Sequence, residues 1–190
     1  MSIDKRILKT KAGIKNAYMQ LAVEKEPNKI TITDISEKAD INRSTFYLHY
    51  KDVKSVAADI EYELSAKISA DLEAFDITDI YGSICRLFTN LTAALEETEL
   101  LRQYLLFSKE AKYISERLKE IFIEAETKAL KKTRPAFDAD GAVYQLTFTT
   151  AGVIESFLKW AHAENEVKPL DELIRETSVI VEFIFSKITA

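Results

Sequence analysis

Four glycines and three prolines are all that these 190 residues offer for tight turns. A fold of many short strands spends such residues at nearly every reversal of the chain. No segment here shows the strict polar and apolar alternation of a half-buried strand either. The expectation is an all-α protein, with long helices joined by short connections. From Ile7 to Leu21 the apolar residues Ile7, Ile14, Ala17, Tyr18 and Leu21 recur with the period of a one-faced helix. Pro27 biases the residue before it away from helical angles, so that helix stops in the Glu24–Asn28 stretch.

Thr31 or Thr33 can cap the next helix, because a side-chain oxygen there accepts an orphan backbone N–H. Ile35 and Ala39 then share one face. Asp40-Ile41-Asn42 breaks the helix: Asp tolerates left-handed angles better than most residues, and Asn42 is a good cap for a third helix. Phe46 and Tyr50, four apart, face the core and leave Arg43, Ser44, Thr45 and Tyr47 free to point elsewhere. Two short helices about a tight turn, the second opening in polar residues, make a helix-turn-helix arrangement. A major groove admits one such helix, whose N-terminal side chains meet base edges.

Charge supports this placement. Net charge is −5, but residues 1–56 hold 11 Lys/Arg against 7 Asp/Glu, a balance of +4, and the remainder carries −9. A basic head on an acidic body suits a DNA reader better than a protein that coats nucleic acid along its length.

The run from Ile30 to Val56, ITITDISEKADINRSTFYLHYKDVKSV, resembles the signature of TetR-family transcriptional regulators. Ser-Thr-Phe-Tyr-Leu-His-Tyr is its informative part, and the match covers about the first quarter of the chain. The resemblance implies that Arg43, Ser44 and Thr45 enter the groove, with Arg43 the candidate for bidentate bonds to a guanine. It implies that Tyr47 and His49 touch phosphates, and that Thr33 and Lys51 add further backbone contacts. Ile35, Ala39, Ile41, Phe46 and Tyr50 form the small core behind them. Two positions depart from the family: Asp40 stands where Gly is usual, and Val53 followed by Lys54 stands where a Lys is common.

The division expected is a helix-turn-helix DNA-binding domain over residues 1–55 and a helical regulatory and dimerisation domain over 56–190. Beyond Lys51 the spacing predicts a linker helix from Asp52 to Phe75, then helices near 79–96, 100–108, 110–132, 139–163 and 170–188, with Pro135 and Pro169 as breaks. TetR-like proteins keep a ligand cavity among these helices. Phe88, Tyr104, Phe107, Phe122, Tyr144 and Phe148 are the aromatic candidates to line one. The last two long helices carry apolar residues on more than one face. The surplus points to a homodimer through a four-helix bundle, with Gly152, Phe157 and Val181 as interface candidates, and so to a palindromic double-stranded operator.

The leading expectation is thus a repressor released from its operator by a small-molecule effector. The alternative is a DNA-bound interaction module or co-activator controlled by a partner protein. Nothing points to an enzyme: no Ser/His/Asp or Cys/His set and no glycine-rich phosphate loop is present, so no catalytic residue is named. The single Cys85 cannot form an internal disulfide, and neither it nor Glu96, Glu97 and Glu99 has His or Asp at metal-ligand spacing. No metal and no cofactor are expected. Early charges at Asp4, Lys5 and Arg6 and the lack of a long apolar run argue against a signal peptide or membrane span, giving a cytoplasmic expectation.

Overall fold

A computed structural model describes residues 2–133, 138, 141–163 and 168–188. Among them the chain forms nine α-helices and no strand: α1 Ser2–Glu24, α2 Ile32–Lys38, α3 Arg43–Tyr47, α4 Val53–Glu73, α5 Ile80–Glu96, α6 Glu99–Phe107, α7 Ala111–Thr133, α8 Val143–Ala161 and α9 Leu170–Ile188. A 3₁₀ turn at Pro27–Lys29 follows α1, where Pro27 ends the first helix. The break expected at Pro135 and the helix start expected at Ala139 lie outside the described residues.

The chain divides into two compact units, Met1–Ala66 with Leu95–Ile114, and Lys67–Ala94 with Ser115–Ala190. In the first, α1 packs on α2 and on α6. Its core gathers Ile14, Tyr18, Leu21, Ile35, Phe46, Tyr50, Val56 and Ile60 with Leu101 and Tyr104. This unit holds the whole of the expected reading domain, residues 1–55, runs on to Ala66 and recruits α6.

Hydrogen bonds explain that recruitment. Thr98 caps α6 by accepting from the Leu101 N–H at 3.1 Å. Past the end of α6, Glu110 accepts from the hydroxyls of Tyr18 at 2.6 Å and Tyr104 at 2.7 Å, and the Lys109 N–H donates to the Ala22 carbonyl at 3.0 Å. The two rings meet edge to face at 6.4 Å. Burial first, and then Glu110, push both phenols far above their ordinary range.

The second unit packs α8 on α9. Phe88 of α5 meets Phe157 of α8 at 5.1 Å between centroids, and Phe75 meets Phe185 at 6.4 Å. One carboxyl is sunk in its core. Glu126 is 1% exposed and accepts a 2.7 Å bond from Thr150, and burial pushes it up to about 8.

Candidate nucleic-acid interface

Thr31, rather than Thr33, caps α2. Its hydroxyl oxygen accepts from the Asp34 N–H at 3.1 Å, and Asp34 answers by accepting from the Thr31 N–H at 2.9 Å, so two orphan donors are satisfied reciprocally. Lys25 donates to the same carboxylate at 2.9 Å. That bond and those from Thr31 hold the Asp34 carboxyl down to about 2. Thr33 sits in the first turn, partly exposed.

The reversal after α2 is closed by the Ile41 N–H donating to the Ser36 carbonyl at 2.9 Å and the Asp40 N–H to the Glu37 carbonyl at 3.2 Å. This is the Schellman pattern, which needs a left-handed residue one past the cap. Asp40 supplies it with φ of 52°. Ile41 then packs against the core, and Asn42 turns extended to open α3. Asn42 stands at the cap position, but its side chain makes no capping bond, contrary to the role expected of it.

Only five residues long, α3 is held from behind. Phe46 is fully buried and Tyr50 nearly so. Tyr50 donates to Asp59 of α4 at 2.6 Å, and Lys11 of α1 pairs with the same carboxylate at 3.1 Å while lying over the Tyr50 ring at 5.1 Å. The Tyr50 bond, then Lys11, keep the Asp59 carboxyl below its ordinary range. α4 opens with a second reciprocal cap, in which Asp52 accepts from the Ser55 N–H at 2.8 Å and Ser55 from the Asp52 N–H at 3.2 Å.

With α3 so fixed, Arg43, Ser44 and Tyr47 are exposed and Thr45 and His49 partly so, while Lys51 is exposed at the lip of α4. All seven DNA-contact candidates, Thr33 included, therefore lie in one unit. Its cations fall into two groups. Of those in residues 1–56, Lys11, Lys15, Lys25 and Lys38 are in ion pairs. Lys5, Arg6, Lys9, Lys29, Arg43, Lys51 and Lys54 are in none among the described residues.

No family model matches the chain. A curated relative, the uncharacterised HTH-type transcriptional regulator YxbF of Bacillus subtilis strain 168, is 41% identical over 49 residues, which is 25% of this chain. The match spans only 13% of that relative's length. Among solved structures, a TetR transcriptional regulator from Streptococcus agalactiae 2603V superposes with a TM-score of 0.65 at 22% identity, over 96% of this chain and 98% of that one. The chain has the TetR fold.

Within the TetR fold, the six aromatics expected to line a cavity are divided between the two units and between buried and exposed positions. Tyr104 belongs to the first unit, tied to Glu110, and Phe107 is exposed in the same unit. Phe88 and Phe122 are buried in the second unit, whereas Tyr144 and Phe148 stand 83% and 68% exposed on α8. The interface candidates need correction as well. Phe157 and Val181 are buried by their own chain, Phe157 against Phe88, and cannot also face a partner. Gly152 is exposed, and a Cβ built on it meets nothing within 4 Å. The large apolar side chains left more than half exposed on α8 and α9 are Tyr144, Phe148, Val179, Ile180 and Phe183.

Sequence reasoning missed the Glu110 clasp, which joins residues 92 apart in the chain and has no local signal. It also missed Glu126, one acid among many in a Lys/Glu-rich helix. Asp34, three residues after Thr31, was a legible capping partner and would have decided between the two threonines. No group of three His, Cys, Asp or Glu among the described residues could hold a metal ion, and no helix among them is long and apolar enough to cross a membrane.

Proposed function

We propose that the chain is a TetR-family transcriptional regulator that binds double-stranded DNA sequence-specifically. Residues 1–55 act as its reading domain and 56–190 as its regulatory and dimerisation domain. The observation that carries this reading is α3: a short helix pinned by buried Phe46 and Tyr50, with Arg43 and Ser44 bare at its N-terminal end. Arg43 reads a guanine through its two-pronged guanidinium, and Ser44 and Thr45 meet neighbouring base edges. Thr33, Tyr47, His49 and Lys51 hold the backbone. The names of the two similar proteins support the same direction.

A titration on a duplex enriched from a random pool tests it. Arg43→Ala weakens that duplex by about 10- to 100-fold and relaxes one base position. Lys51→Ala weakens all duplexes alike and flattens the salt dependence by about one charge. Equal loss on enriched and random DNA in Arg43→Ala would overturn the assignment.

The regulator works as a homodimer on a palindromic site. Support comes from the apolar surface of α8 and α9, where Tyr144, Phe148, Val179, Ile180 and Phe183 are all more than half exposed in the single chain. Gly152→Leu points a bulky side chain into that face without disturbing its own fold, since its surroundings are open. Sedimentation is expected to give monomers with unchanged helicity, and a persistent dimer at low micromolar concentration would remove Gly152 from the interface.

Repression relieved by a small-molecule effector remains the leading form of control, with Phe88 and Phe122 its nearest aromatic candidates. The second form of control is a partner protein that supplies the signal in place of a small molecule. Titration of candidate metabolites against operator binding separates the two. Binding reduced by a metabolite supports the first, reciprocally with weaker metabolite binding in the presence of DNA.

A further inference from the structure

We propose that a cleft between the start of α1 and the α2–α3 turn is a second DNA contact, a seat for one backbone phosphate with Arg6 as its cation; this rests on the DNA-binding reading above. The cleft is about 410 Å³ and is lined by Arg6 of α1, Ser36 and Glu37 of α2, Asp40 and Ile41 of the turn, and Asn42 and Thr45 at the opening of α3. It therefore shares Thr45 with the face that meets base edges.

Its donors are unspent. Ser36 is 3% exposed, yet its hydroxyl oxygen has no hydrogen-bond partner among the described residues. A buried donor left so costs free energy until an acceptor arrives, and a phosphate oxygen or its bridging water is such an acceptor. Asn42, which lines the same cleft, makes no side-chain capping bond at the position that offers one. Arg6 is exposed and in no ion pair among the described residues.

Charge on α1 is divided along its length in the same sense. Lys11 and Lys15 are neutralised by Asp59 and Glu63 of α4, while Lys5, Arg6 and Lys9, nearer the start of the helix, have no such partners among the described residues. The first turns of α1 thus present a free positive end beside the reading helix, where a polyanion passing over α3 meets it. Glu37 and Asp40 line the same cleft and oppose an anion there. The turn carboxylate, at a position where glycine is easier to place, then weakens backbone binding while leaving base reading untouched.

The test is DNA affinity against salt for Arg6→Ala and Asp40→Asn, each on an enriched duplex and on random duplex. Both are exposed changes, and Asn keeps the tolerance for positive φ that the turn requires. Arg6→Ala is expected to weaken both duplexes about 3- to 10-fold and to reduce the slope of log K on log salt by about 0.9. Asp40→Asn is expected to strengthen both several-fold. An unchanged slope in Arg6→Ala, loss confined to the enriched duplex, or weaker binding by Asp40→Asn would overturn the site while leaving a DNA-binding wild type intact. A wild type with no affinity for any duplex would bring down the DNA-binding reading, and this site with it.

Discussion

In the first unit a partly buried carboxylate, Glu110, takes hydrogen bonds from two buried tyrosines, and Asp59 takes one from Tyr50 together with the charge of Lys11. In the second unit Glu126 is almost completely buried with Thr150 as its partner, and no cation pairs with it among the described residues. The first arrangement uses charge to fix geometry, joining helices whose sequence positions are far apart. The second keeps its acid protonated, because burial favours the neutral form and a single hydroxyl donor does not offset it. The apolar residues differ in the same way. Behind α3 the first unit buries Phe46 and Tyr50, while on α8 and α9 the second leaves Tyr144, Phe148 and Phe183 in the open.

The largest expected effect breaks the packing side of this contrast. Phe46→Ala removes a fully buried ring from behind α3 and should cost about 3–5 kcal/mol in denaturant unfolding. Phe148→Ala, an equal deletion on an exposed face, should change single-chain stability by no more than about 0.5 kcal/mol in dilute solution. Similar losses for the two would mean that Phe148 is not the open residue described.

The carboxyls give the next effect, with opposite signs for one substitution. Glu126 is raised from 4.5 to about 8 by burial, so the folded chain holds a proton that the unfolded chain releases from about pH 4.5. Its stabilising contribution is complete below that pH and is lost progressively as pH rises towards 8. Glu126→Gln keeps a partner for Thr150 and never ionises. It should be close to neutral at pH 4 and stabilising by on the order of 2–4 kcal/mol at pH 7. Glu110→Gln should instead destabilise by about 1–2 kcal/mol at pH 7, as two charge-assisted bonds become ordinary ones. Thermal melts across pH 4 to 8 check both, and a stabilising Glu110→Gln would erase the distinction between the units.

The reading head was legible because its signals are local. Ile35, Ala39, Phe46 and Tyr50 follow the helical period, and the break at Asp40 marks the one left-handed residue other than glycine among those described. Long helix limits were also close: 79–96 was expected against Ile80–Glu96, and 170–188 against Leu170–Ile188. Tertiary choice was not legible. A four-residue period places Phe148 and Phe157 on stripes of α8, but only the packing of α5 and α9 decides that Phe157 is covered and Phe148 is not. Nor can the sequence order of α6 reveal that it joins α1, since the bonds that hold it there come from Glu110 and Tyr18.

The smallest effect sharpens the account of the turn. Asp40→Gly relieves a left-handed Asp and should stabilise the first unit by about 1 kcal/mol, visible as a modest rise in melting temperature. A loss of stability would mean that the Asp40 side chain contributes more to the turn than its backbone angle costs.

Parallel selection from random duplexes with the wild type and with Arg43→Ala tests the central claim most directly, that the exposed opening of α3 reads sequence. The wild type should enrich an inverted repeat containing a fixed guanine in each half, and Arg43→Ala should keep the repeat while losing preference at that symmetric position alone. Recovery of no common sequence by the wild type, or of the same guanine by Arg43→Ala, would contradict it.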